Sequence, residues 1–138
     1  MAESIKHLEL VVALVRCAPR HLRGSEHHSI LHDLPGPIGC DKPPKIGAFR
    51  PDVYAADVPT TTVVIGEAKT AEDLDTEHTR RQLLDFAQFL KLYPGSSLLL
   101  AVPWSLRARA QFLLERAAQE ADAFHLNLVV IDDASEAR

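Results

Sequence analysis

Two short stretches of this chain carry side chains whose types and spacing could do chemistry: Arg50-Pro51-Asp52 and Gly66-Glu67-Ala68-Lys69. Successive side chains on a strand alternate faces, so Glu67 and Lys69 project from one face and Ala68 from the other. The residues leading up to them, 63–66, are apolar on both faces. A carboxylate and an ammonium ending such a run are expensive unless they serve a purpose. Asp52 is placed by arithmetic. The midpoint between 52 and 67 falls at Pro59-Thr60, inside a segment with turn chemistry, so a hairpin sets Asp52 opposite Glu67 to within a residue or two.

Two carboxylates side by side repel, and the pair calls for a cation. Hard oxygen ligands with room for water suit Mg²⁺, with Mn²⁺ as a substitute. Asp52, Glu67 and the backbone carbonyl of Ala68 are the expected ligands. Such an ion lowers the pKa of a bound water and neutralises charge on a phosphate. Lys69 beside it is placed to orient a nucleophile or to stabilise developing negative charge. The plain alternative is a strand-end salt bridge between Glu67 and Lys69.

The elements that must position these residues are legible from periodicity. Residues 2–17 read as a helix, with Ile5, Leu8, Val12 and Val15 on one stripe and Pro19 as the stop. A Pro/Gly-rich irregular stretch follows, from residue 19 to about 49, with a short strand at 29–32. Strands are expected at 51–56 and 61–69, a helix at 75–93 with Leu83, Phe86 and Leu90 on one face, and a buried strand at 97–102. Pro103 suits the first turn of a third helix reaching about residue 123, and a last strand covers 125–131. The expectation is a single α/β domain over residues 1–138, with a mixed central sheet flanked by helices.

Composition narrows the classes. The chain has 138 residues, 46% hydrophobic and 25% charged, the proportions of one globular domain. Cys17 and Cys40 cannot build a disulfide framework or a four-cysteine zinc site, and read as reduced cytosolic thiols. No apolar run approaches the roughly 20 residues of a membrane span, and no signal-peptide core opens the chain, so a cytoplasmic location without membrane contact is expected. The net charge of −4 argues against a small basic DNA-coating protein. It is compatible with an enzyme whose acidic site adds to the negative count.

Pro51-Asp52 followed by Glu67-Ala68-Lys69 resembles the signature of the PD-(D/E)xK nuclease superfamily. Gln82 with Phe86 four residues on resembles the glutamine-x-x-x-tyrosine motif of its RecB-like, Holliday-junction-resolvase-like branch, with phenylalanine in place of tyrosine. The resemblance implies a restriction-endonuclease-like αβββαβ core over about residues 2–102, with an extra C-terminal helix and strand. It also implies a Mg²⁺-dependent nuclease hydrolysing phosphodiester bonds in DNA. Asp52 and Glu67 would be metal ligands, Lys69 the catalytic cation and Gln82 an accessory reaching the metal site or a phosphate. Several members add a carboxylate from the first helix, for which Glu9 is the candidate metal ligand. It sits about 40° from Ile5 on a helical wheel, where a solvated flanking charge is the equal alternative. No separate histidine stands where some relatives use one. A homodimer or a larger complex would supply surface for recognition. The rival reading is a catalytically weak or inactive nucleic-acid-binding or protein-interaction module on the same fold.

Weaker signals remain. His27, His28 and His32 form a loop of solvated histidines rather than a transition-metal cluster. Arg20, Arg23, Lys42, Lys45 and Arg50 give the Pro/Gly stretch a positive excess suited to phosphate contacts, or simply to solubility. Arg80 and Arg81 begin the second helix near the expected site. Trp104, at a helix start, reads as a packing residue rather than a base-stacking platform.

Overall fold

A computed structural model describes residues 4–23, 27–35 and 41–133. Cys40, parts of the predicted Pro/Gly stretch (24–26 and 36–39) and the first two residues of the predicted opening helix lie outside the described residues. Helix α1 is Ile5–Cys17, and strands β1, β2 and β3 are His28–His32, Val53–Asp57 and Val63–Ala68. Then come α2 (Ala71–Leu74), α3 (Glu77–Leu90), β4 (Ser97–Val102), α4 (Arg107–Glu120) and β5 (Asn127–Asp132). The strands form one open mixed sheet in the order β1-β2-β3-β4-β5. The β1–β2 and β2–β3 pairs are antiparallel, and β3–β4 and β4–β5 are parallel. The chain is thus α/β, with helices on both faces of a five-stranded sheet. No helix among the described residues is long and apolar enough to cross a membrane.

Alternation along the strands divides the core into two layers. On one face Leu10, Val11 and Leu14 of α1 pack over Val53, Val64 and Leu99. On the other, Leu83, Phe86 and Leu114 from α3 and α4 cover Ile65, Leu98 and Leu100. Gly66 sits under α1. A Cβ there would lie 3.0 Å from Leu14 Cδ2, so glycine lets helix and strand approach closely.

The buried face of α1 departs from the expected stripe. Leu10, Val11, Ala13 and Leu14 are buried, whereas Ile5 is 78% exposed. The helix is apolar almost all round (Leu10-Val11-Val12-Ala13-Leu14-Val15), so periodicity alone cannot select its inner face, and packing on the sheet does. The expected helix at 75–93 is α3, shortened to Glu77–Leu90, and a separate helical turn, α2, precedes it. Thr76 caps α3 by accepting from the Thr79 backbone N–H at 3.1 Å, and the Thr79 hydroxyl donates to the Asp73 carbonyl at 2.7 Å, which holds α2 as a separate turn. Beyond Pro103 the chain first makes a 3₁₀ turn, Trp104–Leu106, and only then α4. Trp104 is no packing residue: it is 66% exposed.

The β2–β3 hairpin is locked at its turn. The buried Asp57 carboxylate accepts from the Thr61 and Thr62 backbone N–H groups at 2.6 and 2.9 Å, and from both threonine hydroxyls. Burial alone would raise the Asp57 carboxyl, but these four bonds hold it far below the usual carboxylate range. Across the ladder Val53 pairs with Gly66 and Ala56 with Val63. One further pair in this register sets Asp52 against Glu67.

Candidate active site

Asp52 and Glu67 meet at the end of the hairpin remote from the turn, and the backbone ties each carboxylate in place. Glu67 Oε1 accepts from the Asp52 backbone N–H at 3.1 Å, and Asp52 Oδ2 accepts from the Ala68 N–H at 2.9 Å. By alternation Glu67 projects towards the α3–α4 layer, with Ile65, whereas Asp52 stands one residue before β2. Lys69 follows on the same face, its Nζ 3.5 Å from Glu67 Oε2. Its backbone N–H donates to the Ala101 carbonyl at 2.9 Å, which carries the β3–β4 ladder one step past the strand. These groups stand at the carboxyl end of β3, the end at which open α/β sheets place their ligands.

Glu67 is almost wholly buried, and Lys69 nearly so. Burial, reinforced by the negative charge and hydrogen bonding of Asp52, pushes the Glu67 carboxyl well above its ordinary range; the Lys69 ammonium only partly offsets this. Asp52 goes the other way. Burial acts to raise it, but hydrogen bonds from His7, Glu67 and the Ala68 N–H outweigh that and hold it below the usual range. The pair is therefore asymmetric: Asp52 holds its negative charge, while Glu67 resists acquiring one.

The first helix contributes a histidine, not the expected glutamate. His7 Nε2 lies 3.5 Å from Asp52 Oδ2. His7 falls seven residues before Leu14 and shares its buried stripe, whereas Glu9 lies about 140° round the helix from Leu14. Glu9 is 63% exposed, 4.0 Å from Lys6, and is not brought to the pair. A helical reading centred on Leu10 and Leu14 would have found His7. Centring it on Ile5 concealed the residue.

Gln82 lies in the second turn of α3, on the stripe that also carries Thr79 and Phe86, and is 7% exposed. Its Oε1 is buried without a hydrogen-bond donor among the described residues. Phe86 is fully buried in the core, where a tyrosine hydroxyl would need a partner of its own. Among the described residues no set of three or more His, Cys, Asp or Glu side chains is arranged to hold a metal ion. What fits a divalent cation is the donor chemistry of Asp52 and Glu67, two carboxylates whose mutual repulsion a cation would relieve.

The other sequence candidates are dispersed. His27 and His28 are exposed, and His32 Nδ1 accepts from the Leu34 N–H at 3.2 Å. Arg50 donates to the Pro43 carbonyl at 2.9 Å and Lys42 pairs with Asp33 at 3.2 Å, so part of the loop's charge holds the loop itself. Arg80 and Arg81 both reach Glu77 on the surface of α3. No family model matches the chain, and neither a curated protein nor a solved structure matches it.

Proposed function

We propose that this protein is a Mg²⁺-dependent nuclease that hydrolyses phosphodiester bonds in DNA, on a restriction-endonuclease-like core of the PD-(D/E)xK type. The observation that carries the reading is the paired Asp52 and Glu67 with Lys69 alongside, Glu67 being held above its ordinary range by burial and by its neighbour. A buried carboxylate pair of this kind costs folding energy, and a cation bound between the two groups removes the cost.

Asp52 and Glu67 are the residues that would hold the ion, with the Ala68 carbonyl as a third oxygen. A divalent cation there supplies Lewis acidity, acidifying water and neutralising phosphate charge. Lys69 presents its ammonium on the same face. It donates to a phosphate oxygen or orients the attacking water, stabilising charge that grows in the transition state. Gln82, whose buried Oε1 has no donor among the described residues, is the accessory residue of this reading. His7 fixes the Asp52 carboxylate from the α1 side.

A second reading, a nucleic-acid-binding or protein-interaction module with little or no catalysis, is favoured by one observation. Both carboxylates already accept backbone N–H bonds, and the described residues hold no third acidic or histidine ligand in metal-binding geometry. The two readings separate in a cleavage assay over single-stranded, duplex and branched DNA and RNA, with Mg²⁺, Mn²⁺ or EDTA. The nuclease reading expects cleavage with either metal and none with EDTA. Binding without cleavage under every condition selects the module.

A further inference from the structure

We infer that Trp104 is a stacking platform for an unpaired nucleobase, so that the site takes nucleic acid with single-stranded character beside the bond to be cut. The inference rests on the nuclease reading, because it assigns the ligand at that same edge of the sheet. Trp104 is the chain's only tryptophan, and it is 66% exposed. It stands three residues after Ala101, whose carbonyl accepts from the Lys69 N–H. Three residues reach at most about 11 Å, a span of a few nucleotides.

The platform is held in register with the carboxylates. The Trp104 backbone N–H donates to Asp133 Oδ1 at 2.9 Å, and Asp133 Oδ2 is bound by Lys6 Nζ at 2.5 Å. His7, the next residue of α1, meets Asp52. Adjacent residues in the first turn of one helix thus tie the indole's support and the acidic pair to a common frame.

The surroundings favour a base over a protein partner. Protein contacts are built on contiguous apolar patches, whereas the exposed residues that follow Trp104 in the chain are Ser105, Arg107, Ala108 and Arg109. Helix α4 opens with Arg107 and Arg109 and no acid in its first turn, against the preference of its dipole. Arg107 pairs with Asp132 and Arg109 with Asp75, yet both guanidinium groups remain about half exposed. An exposed aromatic followed by cations is a pattern that binds single strands.

The sole tryptophan reports on its own contacts. Its fluorescence is titrated with oligo(dT), an abasic strand of equal length and a blunt duplex, in EDTA and in Ca²⁺. Saturable quenching by oligo(dT) is expected, with little by the abasic strand or the duplex. Trp104→Ala should weaken oligo(dT) binding about tenfold to a hundredfold, leave abasic-strand binding unchanged, and be largely rescued by Trp104→Phe. Equal quenching by the abasic strand, or a Trp104→Ala loss that does not depend on bases, overturns the inference. So does a Trp104→Ala variant with unchanged DNA affinity and an altered oligomeric state, which would make the indole a protein contact. Base-dependent quenching without cleavage in Mg²⁺ would retire the nuclease reading and leave the platform standing.

Discussion

Lys69 holds its ammonium on a strand end where almost all of its surface is covered, 3.5 Å from a carboxylate that resists ionising. Its charge is thus preorganised rather than gathered from solvent. Lys69→Ala should cut hydrolysis by about 10²–10³-fold, the loss of roughly 2.7–4 kcal/mol of transition-state stabilisation, with far-UV circular dichroism unchanged. Lys69→Arg should not restore it, because a planar guanidinium does not replace a compact ammonium. Wild-type rates in the alanine variant would remove Lys69 from the chemistry. Glu67 makes a separate prediction. Its carboxyl titrates higher folded than unfolded, so the folded state binds more protons over that interval and metal-free stability must fall as pH rises through it. Glu67→Gln should raise the metal-free Tm by a few degrees at neutral pH and flatten this dependence, while abolishing activity. An unchanged pH–Tm curve would show that Glu67 carries no electrostatic cost.

The β2–β3 hairpin depends on Asp57, whose carboxylate gathers four hydrogen bonds from Thr61 and Thr62. Asp57→Asn replaces an acceptor of two N–H groups and two hydroxyls by an amide that must also donate. It should lower Tm by several degrees. Because the Asp57 carboxyl is depressed on folding, its contribution is present above the unfolded carboxylate range and lost as pH falls through the folded value. The deficit of the variant should therefore shrink in acid, as thermal melts over a pH series would record. The hairpin was readable in the sequence because its two strands are β-branched or apolar and its turn has turn chemistry. That symmetry alone put 52 opposite 67, the register that the observed Val53–Gly66 pairing continues. Other elements were not readable, for identifiable reasons. Helix α1 is apolar almost all round, so its inward face is chosen by the sheet, and that choice carries His7 in and Glu9 out. The α2–α3 break depends on the Thr79 hydroxyl reaching a carbonyl six residues back, a bond no periodicity encodes. Trp104 was misread because a large apolar residue next to a proline resembles core until the 3₁₀ turn carries it outward.

For the whole molecule, the nuclease reading links metal binding to folding through the acidic pair. A cation that binds the folded arrangement alone stabilises it by about 1.4 kcal/mol at ten times its Kd, an upward Tm shift of a few degrees for a domain of this size. Asp52→Asn, which removes the charge that persists at neutral pH, should erase the Mg²⁺-dependent shift. Differential scanning fluorimetry with a Mg²⁺ series checks this, and an undiminished shift in the variant would mean that the ion sits elsewhere. The register that unites the pair also sets what the gene can tolerate over time. Side-chain direction repeats every two residues, so one codon lost within either strand would break the register that sets Asp52 against Glu67, however well every remaining residue were kept. Drift in length within either strand is thus closed to this site. Descendants of this chain should therefore keep the number of residues in each of the two strands, with the two acids at their ends.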